Sequence, residues 1–193
     1  VKLQSVCVYC GSRVGARDSY MEAARTLGRA LAKADIELVY GGGDIGLMGA
    51  VANAVVDGGG VVTGVLPQFL REVEIPSHRI RELVITETMH DRKALMFERS
   101  DAFCVLPGGI GTLEEMVEMM SWAYLRQHAK PIVLVNLDGF WDPFFALVDH
   151  MIAEGFAHED MPKLWQVVDK IEDVLPAMRK WLDGAAHEAA PKF

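Results

Sequence analysis

The sequence predicts an α/β fold: a doubly wound, Rossmann-like parallel sheet with helices on both faces, in three αβα layers. Three observations predict it. Apolar, β-rich runs alternate with helix-period segments along almost the whole chain, and such alternation implies right-handed βαβ crossovers into a parallel sheet. The runs are short and nearly all apolar, as strands are when both their faces are covered. Glycine-rich stretches follow several of the runs, on the rim where open parallel sheets bind their ligands.

The elements follow in order. Val6-Cys7-Val8-Tyr9 makes the first strand, at 6–9, and a helix over 19–33 carries the chain to a second strand, ELVY at 37–40. A helix over 47–57 leads to VVTGVL at 61–66, and LVIT at 83–86 is the fourth strand. A helix over 91–99 precedes AFCVL at 102–106, and a helix over 113–125 precedes IVLVN at 132–136. Helices over 143–154 and 171–182 close the order. With 193 residues, no internal repeat and no interior linker, the chain reads as a single nucleotide-binding domain over 1–183. Residues 184–193 read as a flexible tail.

Composition narrows the function. The chain is 51% hydrophobic and 24% charged, with a formal net charge of −8. Its basic residues are scattered, whereas nucleic-acid binders carry a basic patch, so a nucleic acid polymer is not an expected partner. A small phosphorylated ligand stays open, because backbone N–H groups bind phosphate without net positive charge. No apolar run approaches the ~20 residues of a membrane helix, and the opening VKLQSVCVYCGS is too polar for a signal peptide. A cytoplasmic protein with no membrane partner is expected. The three cysteines, Cys7, Cys10 and Cys104, do not suggest a disulfide framework. Cys7 and Cys10 form a C-x-x-C, but within a strand-like run their thiols point to opposite faces, unlike a redox motif that opens a helix. The six histidines, His78, His90, His128, His150, His158 and His187, show no metal-ligand spacing. No metal and no cofactor are expected.

Three loops are expected on one rim: Cys10 to Arg13, Gly41 to Gly46, and Pro107 to Thr112. The second contains a G-x-G-x-x-G, but it follows the second strand, and the third strand ends without the acidic residue that holds a dinucleotide ribose. A tight turn that also lets a ligand approach the backbone is the favoured reading. The third loop, Pro107-Gly108-Gly109-Ile110-Gly111-Thr112, leads into a helix and makes a mononucleotide phosphate seat. It lacks the G-K-[ST] of an ATP-hydrolysing loop. Glu115 follows Thr112 by three, so the two fit a capping box. Alternatively Glu115 serves a reacting sugar just beyond the phosphate, with Glu114 the neighbouring alternative. Thr88 and Asp91 fit a plain helix cap. Arg92 and Lys93 fit either a solvated face or, for the arginine, a ligand-binding role opposite the phosphate loop. Met116, Met119, Met120, Trp122 and Tyr124 make the helix after that loop apolar on more than one side, which suggests a partner surface.

Together these motifs resemble the cytokinin-activating phosphoribohydrolases, the Lonely Guy family, which also includes bacterial AMP hydrolases. The pattern P-G-G-x-G-T-x-x-E matches Pro107, Gly108, Gly109, Gly111, Thr112 and Glu115; Met89, Arg92 and Lys93 match its Met-x-x-Arg-Lys motif. G-G-G-x-x-G-L-M-G falls at 41–49, and C-G-S at Cys10, Gly11 and Ser12. The resemblance implies hydrolysis of the N-glycosidic bond of AMP or N6-substituted adenosine 5′-monophosphates, through an oxocarbenium-like transition state. Glu115 and Arg92 would be catalytic. Ser12, Gly41, Gly42, Gly43, Met89, Lys93, Gly108, Gly109, Ile110, Gly111 and Thr112 would bind the nucleotide. A homodimer formed near the helix at 113–125 is implied as well. A non-catalytic nucleotide-binding module is the alternative. Members have carried the label lysine decarboxylase, but that reaction needs an electron sink, normally pyridoxal phosphate on an active-site lysine. The nearest lysine is Lys93, which nothing in the sequence marks as desolvated.

Overall fold

The computed structural model describes residues 2–72, 77 and 79–185. The strands are β1 (Ser5–Tyr9), β2 (Glu37–Tyr40), β3 (Val62–Pro67), β4 (Glu82–Thr86), β5 (Ala102–Val105), β6 (Ile132–Val135) and β7 (Gln166–Val168). The helices are α1 (Asp18–Lys33), α2 (Gly46–Asp57), α3 (Met89–Glu98), α4 (Ile110–Tyr124), α5 (Asp142–Ala153) and α6 (Val174–Lys180). All strands pair in parallel, in the order β4-β3-β2-β1-β5-β6-β7. The order reverses between β1 and β5, and the carboxyl ends of those two strands are the topological switch point.

Alternate residues of the central strands fill two separate cores. Val6, Val8, Tyr40 and Cys104 pack under α1, α2 and α6. Cys7, Tyr9, Phe103 and Val105 pack under α3, α4 and α5. Cys7 and Cys10 thus point to opposite faces, and burial pushes the thiols of Cys7, Cys10 and Cys104 up, away from the thiolate that redox chemistry uses. The rows of fully buried β1 and β5 explain why both read as uninterrupted apolar runs.

The sheet edge and the closing helix differ from the sequence reading. β7 is an additional edge strand of three residues beside β6, too short and too exposed to carry an apolar signal. The closing helix is not continuous over 171–182: a 3-10 turn at Ile171–Asp173 precedes α6, and a wider turn at Trp181–Ala185 follows it. His78 and residues 186–193, which include His187 and most of the tail expected at 184–193, lie outside the described residues. Among the described residues, no cluster of His, Cys, Asp or Glu could hold a metal ion, and no helix is long and apolar enough to cross a membrane.

Candidate active site

The rim is knit from the loops after β1, β2 and β5. Gly11 N–H donates to Pro107 O at 3.1 Å, tying the β1 loop to the β5 loop. Gly11 O accepts from Leu47 and Met48 N–H at 3.0 and 3.3 Å, so the start of α2 is anchored to the same loop. Gly46, at φ +61°, lies so close to the Ser12–Arg13 backbone that any Cβ would collide. These contacts frame a cavity of ≈ 610 Å³ at the switch point, a size suited to a small ligand.

The middle of the cavity is the N-terminus of α4. The helix opens from Gly109 with no side-chain cap. Its first intrahelical bond runs from Leu113 N–H to Gly109 O at 3.0 Å, so the N–H groups of Ile110, Gly111 and Thr112 precede it without intrahelical acceptors. A Cβ on Gly108 would strike the Thr112 side chain, whereas on Gly109 or Gly111 it would meet nothing within 4 Å. Packing inside the chain therefore demands glycine at 108 but not at 109 or 111. The latter two leave bare backbone at the cavity, where the helix dipole and free donors favour an anion.

Beside this seat stands a buried ion pair. α3 is started by a capping box, in which Thr88 Oγ1 accepts the Asp91 N–H at 3.1 Å and Asp91 Oδ2 accepts the Thr88 N–H at 3.2 Å. That start aims Met89 and Arg92, three apart, toward the cavity. Arg92 Nε donates to Val65 O at 3.1 Å and Nη2 to Gly41 O at 3.5 Å. Nη1 lies 3.8 Å from Met89 Sδ and 3.3 Å from Glu115 Oε1 on α4. Arg92 and Glu115 are each 7% exposed. Taking such charges out of water costs several kcal/mol per ion, which marks the pair as more than surface decoration. Chemically, the arrangement offers a fixed carboxylate and a fixed guanidinium one helical turn from an anion seat.

A family model described as "Possible lysine decarboxylase" matches residues 48–178. The cytokinin riboside 5′-monophosphate phosphoribohydrolase LOG of Oryza sativa subsp. japonica is 44% identical over 200 residues, spanning 98% of this chain and 83% of the rice protein. The Arabidopsis thaliana protein of the same name, LOG1, is 42% identical over 186 residues, spanning 93% of this chain and 87% of its own. The chain belongs to the cytokinin riboside 5′-monophosphate phosphoribohydrolase family. Among solved structures, a molybdenum cofactor carrier protein from Chlamydomonas reinhardtii superimposes with a TM-score of 0.69 at 20% identity, over 94% of this chain and 99% of the other. The molybdenum cofactor binding protein from Rippkaea orientalis gives 0.70 at 19% identity, over 94% and 98%. At such identities the likeness is one of fold.

In this member of the phosphoribohydrolase family, Ser12, Met89, Arg92, Gly108, Gly109, Ile110, Gly111, Thr112 and Glu115 all line the one cavity. Gly41, Gly42, Gly43 and Lys93 do not. The Gly41–Gly43 stretch lies behind the arginine, whose guanidinium occupies the space a Gly41 Cβ would need. Lys93 turns instead to α4, bonded to Glu114 and 3.1 Å from Glu118 Oε1. Burial alone would lower the Lys93 pKa, but hydrogen bonds to Glu114 and Glu118 outweigh it and leave it raised. Such an ammonium is a poor Schiff-base nucleophile, so the decarboxylase description finds no support in this lysine. Thr112 is the third residue of α4, not its N-cap, so the capping-box reading of Thr112 and Glu115 is corrected: the glycines let the helix begin three residues earlier, at Ile110. The sequence reading missed Tyr20 and Phe140, which also border the cavity and meet edge to face with ring centroids 5.8 Å apart. Asp138, at φ +52°, holds that wall through Ser19 Oγ at 3.0 Å and Arg17 Nη1 at 3.2 Å. The signal for it was the Leu137-Asp138-Gly139 turn after β6.

Proposed function

We propose that this chain hydrolyses the N-glycosidic bond of cytokinin riboside 5′-monophosphates and of AMP, releasing the free base and ribose 5-phosphate. The observation that carries the reading is the Arg92–Glu115 pair, 3.3 Å apart, in the same cavity as the bare N-terminus of α4. The 5′-phosphate sits on the N–H groups of Ile110, Gly111 and Thr112. Glu115 lies three residues further along α4, an advance of about 4.5 Å, which suits a carboxylate beside the ribose. As the C1′–N bond breaks, the electron pair leaves with the base and positive charge grows at C1′ and the ring oxygen. Glu115 stabilises that charge and orients the water whose oxygen bonds to C1′, and the water's proton ends on the departing base. Arg92, tied to the sheet by two carbonyls, balances and aims the carboxylate.

The protein is read as a cytoplasmic homodimer with no need of nucleic acid. Support for the dimer comes from Ile110, Val117 and Leu125, which are 82%, 40% and 59% exposed along one side of α4. Met116, Met119 and Met120, by contrast, are spent on the core. The deciding experiment incubates the protein with AMP and with an N6-prenylated analogue and separates the products by chromatography. Free base with equimolar ribose 5-phosphate supports the reading. Binding of either nucleotide without base release would make the chain a non-catalytic nucleotide-binding module.

A further inference from the structure

α3 and α4 meet along one seam. Nearest the cavity, Arg92 faces Glu115 at 3.3 Å. Next, Lys93 Nζ is bonded to Glu114 Oε1 and lies 3.1 Å from Glu118 Oε1. Farthest away, Phe97 packs edge-on against Trp122, with ring centroids 5.1 Å apart. The spacing is helical: Lys93 and Phe97 are four apart on α3, and Glu114, Glu118 and Trp122 are four apart on α4, so each set forms a stripe on its helix.

Lys93 borders no part of the cavity, yet it is covalently next to Arg92, and its two carboxylates bracket Glu115. Arg92 is anchored on the sheet through Val65 O and Gly41 O, whereas Glu115 rides on α4. With the guanidinium held there, the separation of the pair follows the position of α4, which the Lys93 contacts tie to α3. Three carboxylates, Glu114, Glu115 and Glu118, share barely more than one turn of α4 and repel one another. The Lys93 side chain, 12% exposed, supplies the charge that draws this turn toward α3. Glu118 Oε2 is buried with no hydrogen-bond partner, a burial that the adjoining ammonium makes tolerable.

We propose that Lys93 is a positioning residue: by gripping α4 at Glu114 and Glu118 it sets how Glu115 meets Arg92. The inference rests on the roles given above to Arg92 and Glu115. Lys93→Met keeps the length and apolar stem and removes the charge. Its kcat for AMP should fall about 10- to 100-fold, the scale of a sub-ångström to ångström misplacement, with KM within about twofold of the parent because no substrate contact is lost. Lys93→Arg should recover most of the kcat. Glu114→Gln/Glu118→Gln should reproduce the loss with Lys93 intact, and it carries the test should Lys93→Met fail to fold. Combining it with Lys93→Met should cost little more than either alone, since all three changes cut the same grip. A raised KM with unchanged kcat would overturn the proposal and make Lys93 a substrate contact. Unchanged kinetics, or losses that simply add, would overturn it too. The underlying reading fails separately, if Glu115→Gln stays active in the same assay.

Discussion

Replacing Glu115 by glutamine keeps the shape of the side chain and removes its charge, so it isolates the electrostatic part of the proposed mechanism. A full positive charge about 4 Å from a carboxylate, in an effective dielectric of about 20, is stabilised by about 4 kcal/mol. At 1.36 kcal/mol per tenfold change, that is about 10³-fold in rate. Glu115 shares its charge with Arg92 at 3.3 Å, and the transition state carries only part of a unit charge, so the expected loss in kcat is roughly 10²- to 10³-fold. The same change leaves the buried Arg92 facing a neutral amide. Val65 O and Gly41 O still accept from it, which limits the stability cost to about 1–3 kcal/mol, or roughly 2–12 °C in Tm. The assay is initial-rate release of adenine from AMP, with circular dichroism at the assay temperature to confirm folding and calorimetry to measure nucleotide binding. Retained binding with turnover reduced by that factor is expected. A folded Glu115→Gln protein with kcat within about tenfold of the parent would refute the reasoning.

The two glycines of the proposed phosphate seat should separate packing from binding. Gly108→Ala, whose Cβ would strike Thr112, should lower both Tm and nucleotide affinity, while Gly109→Ala, whose Cβ meets no protein atom within 4 Å, should keep its Tm and still bind ribose 5-phosphate about tenfold more weakly; unchanged affinity would remove the phosphate from this helix end. His128 donates from Nε2 to Met119 O at 2.9 Å and accepts the Lys130 N–H on Nδ1 at 3.1 Å, and burial lowers its pKa below the ordinary 6.5. The unfolded chain therefore binds this proton first, and stability is lost as pH falls through about 6.5 toward the lowered folded value; Tm measured from pH 7.5 to 5.5 should fall less steeply in His128→Gln, and an equal slope would clear the residue. Sedimentation at micromolar concentration should give a dimer and Val117→Glu a monomer, a result reversed if Val117 faces only solvent.

The sheet was legible because its central strands are covered on both sides, and such strands leave unbroken apolar runs. β7 was not, since three residues at an edge leave almost no pattern. The candidate site was legible where chemistry and backbone coincide: Gly108 to Thr112 announce a helix end with free donors, and Glu115 follows on the same helix. It was not legible where the answer depends on which helix lies alongside. Thr88-x-x-Asp91 and Thr112-x-x-Glu115 carry one and the same capping pattern, yet only the first is a cap, because glycines at 108 and 109 let α4 start before its threonine. Arg92 and Lys93 are neighbours in sequence and about 100° apart around a helix. One therefore turns under the sheet loops while the other turns to α4, a division invisible without the partner helix. A two-residue basic motif that reads as one ligand-binding unit is thus, in space, one side chain at the cavity and one turned to the neighbouring helix. The Lys93 kinetics test that division directly: a basic pair acting as a unit on the substrate would raise KM when either member is lost, whereas a pair split between site and scaffold leaves KM to the cavity and loses kcat alone.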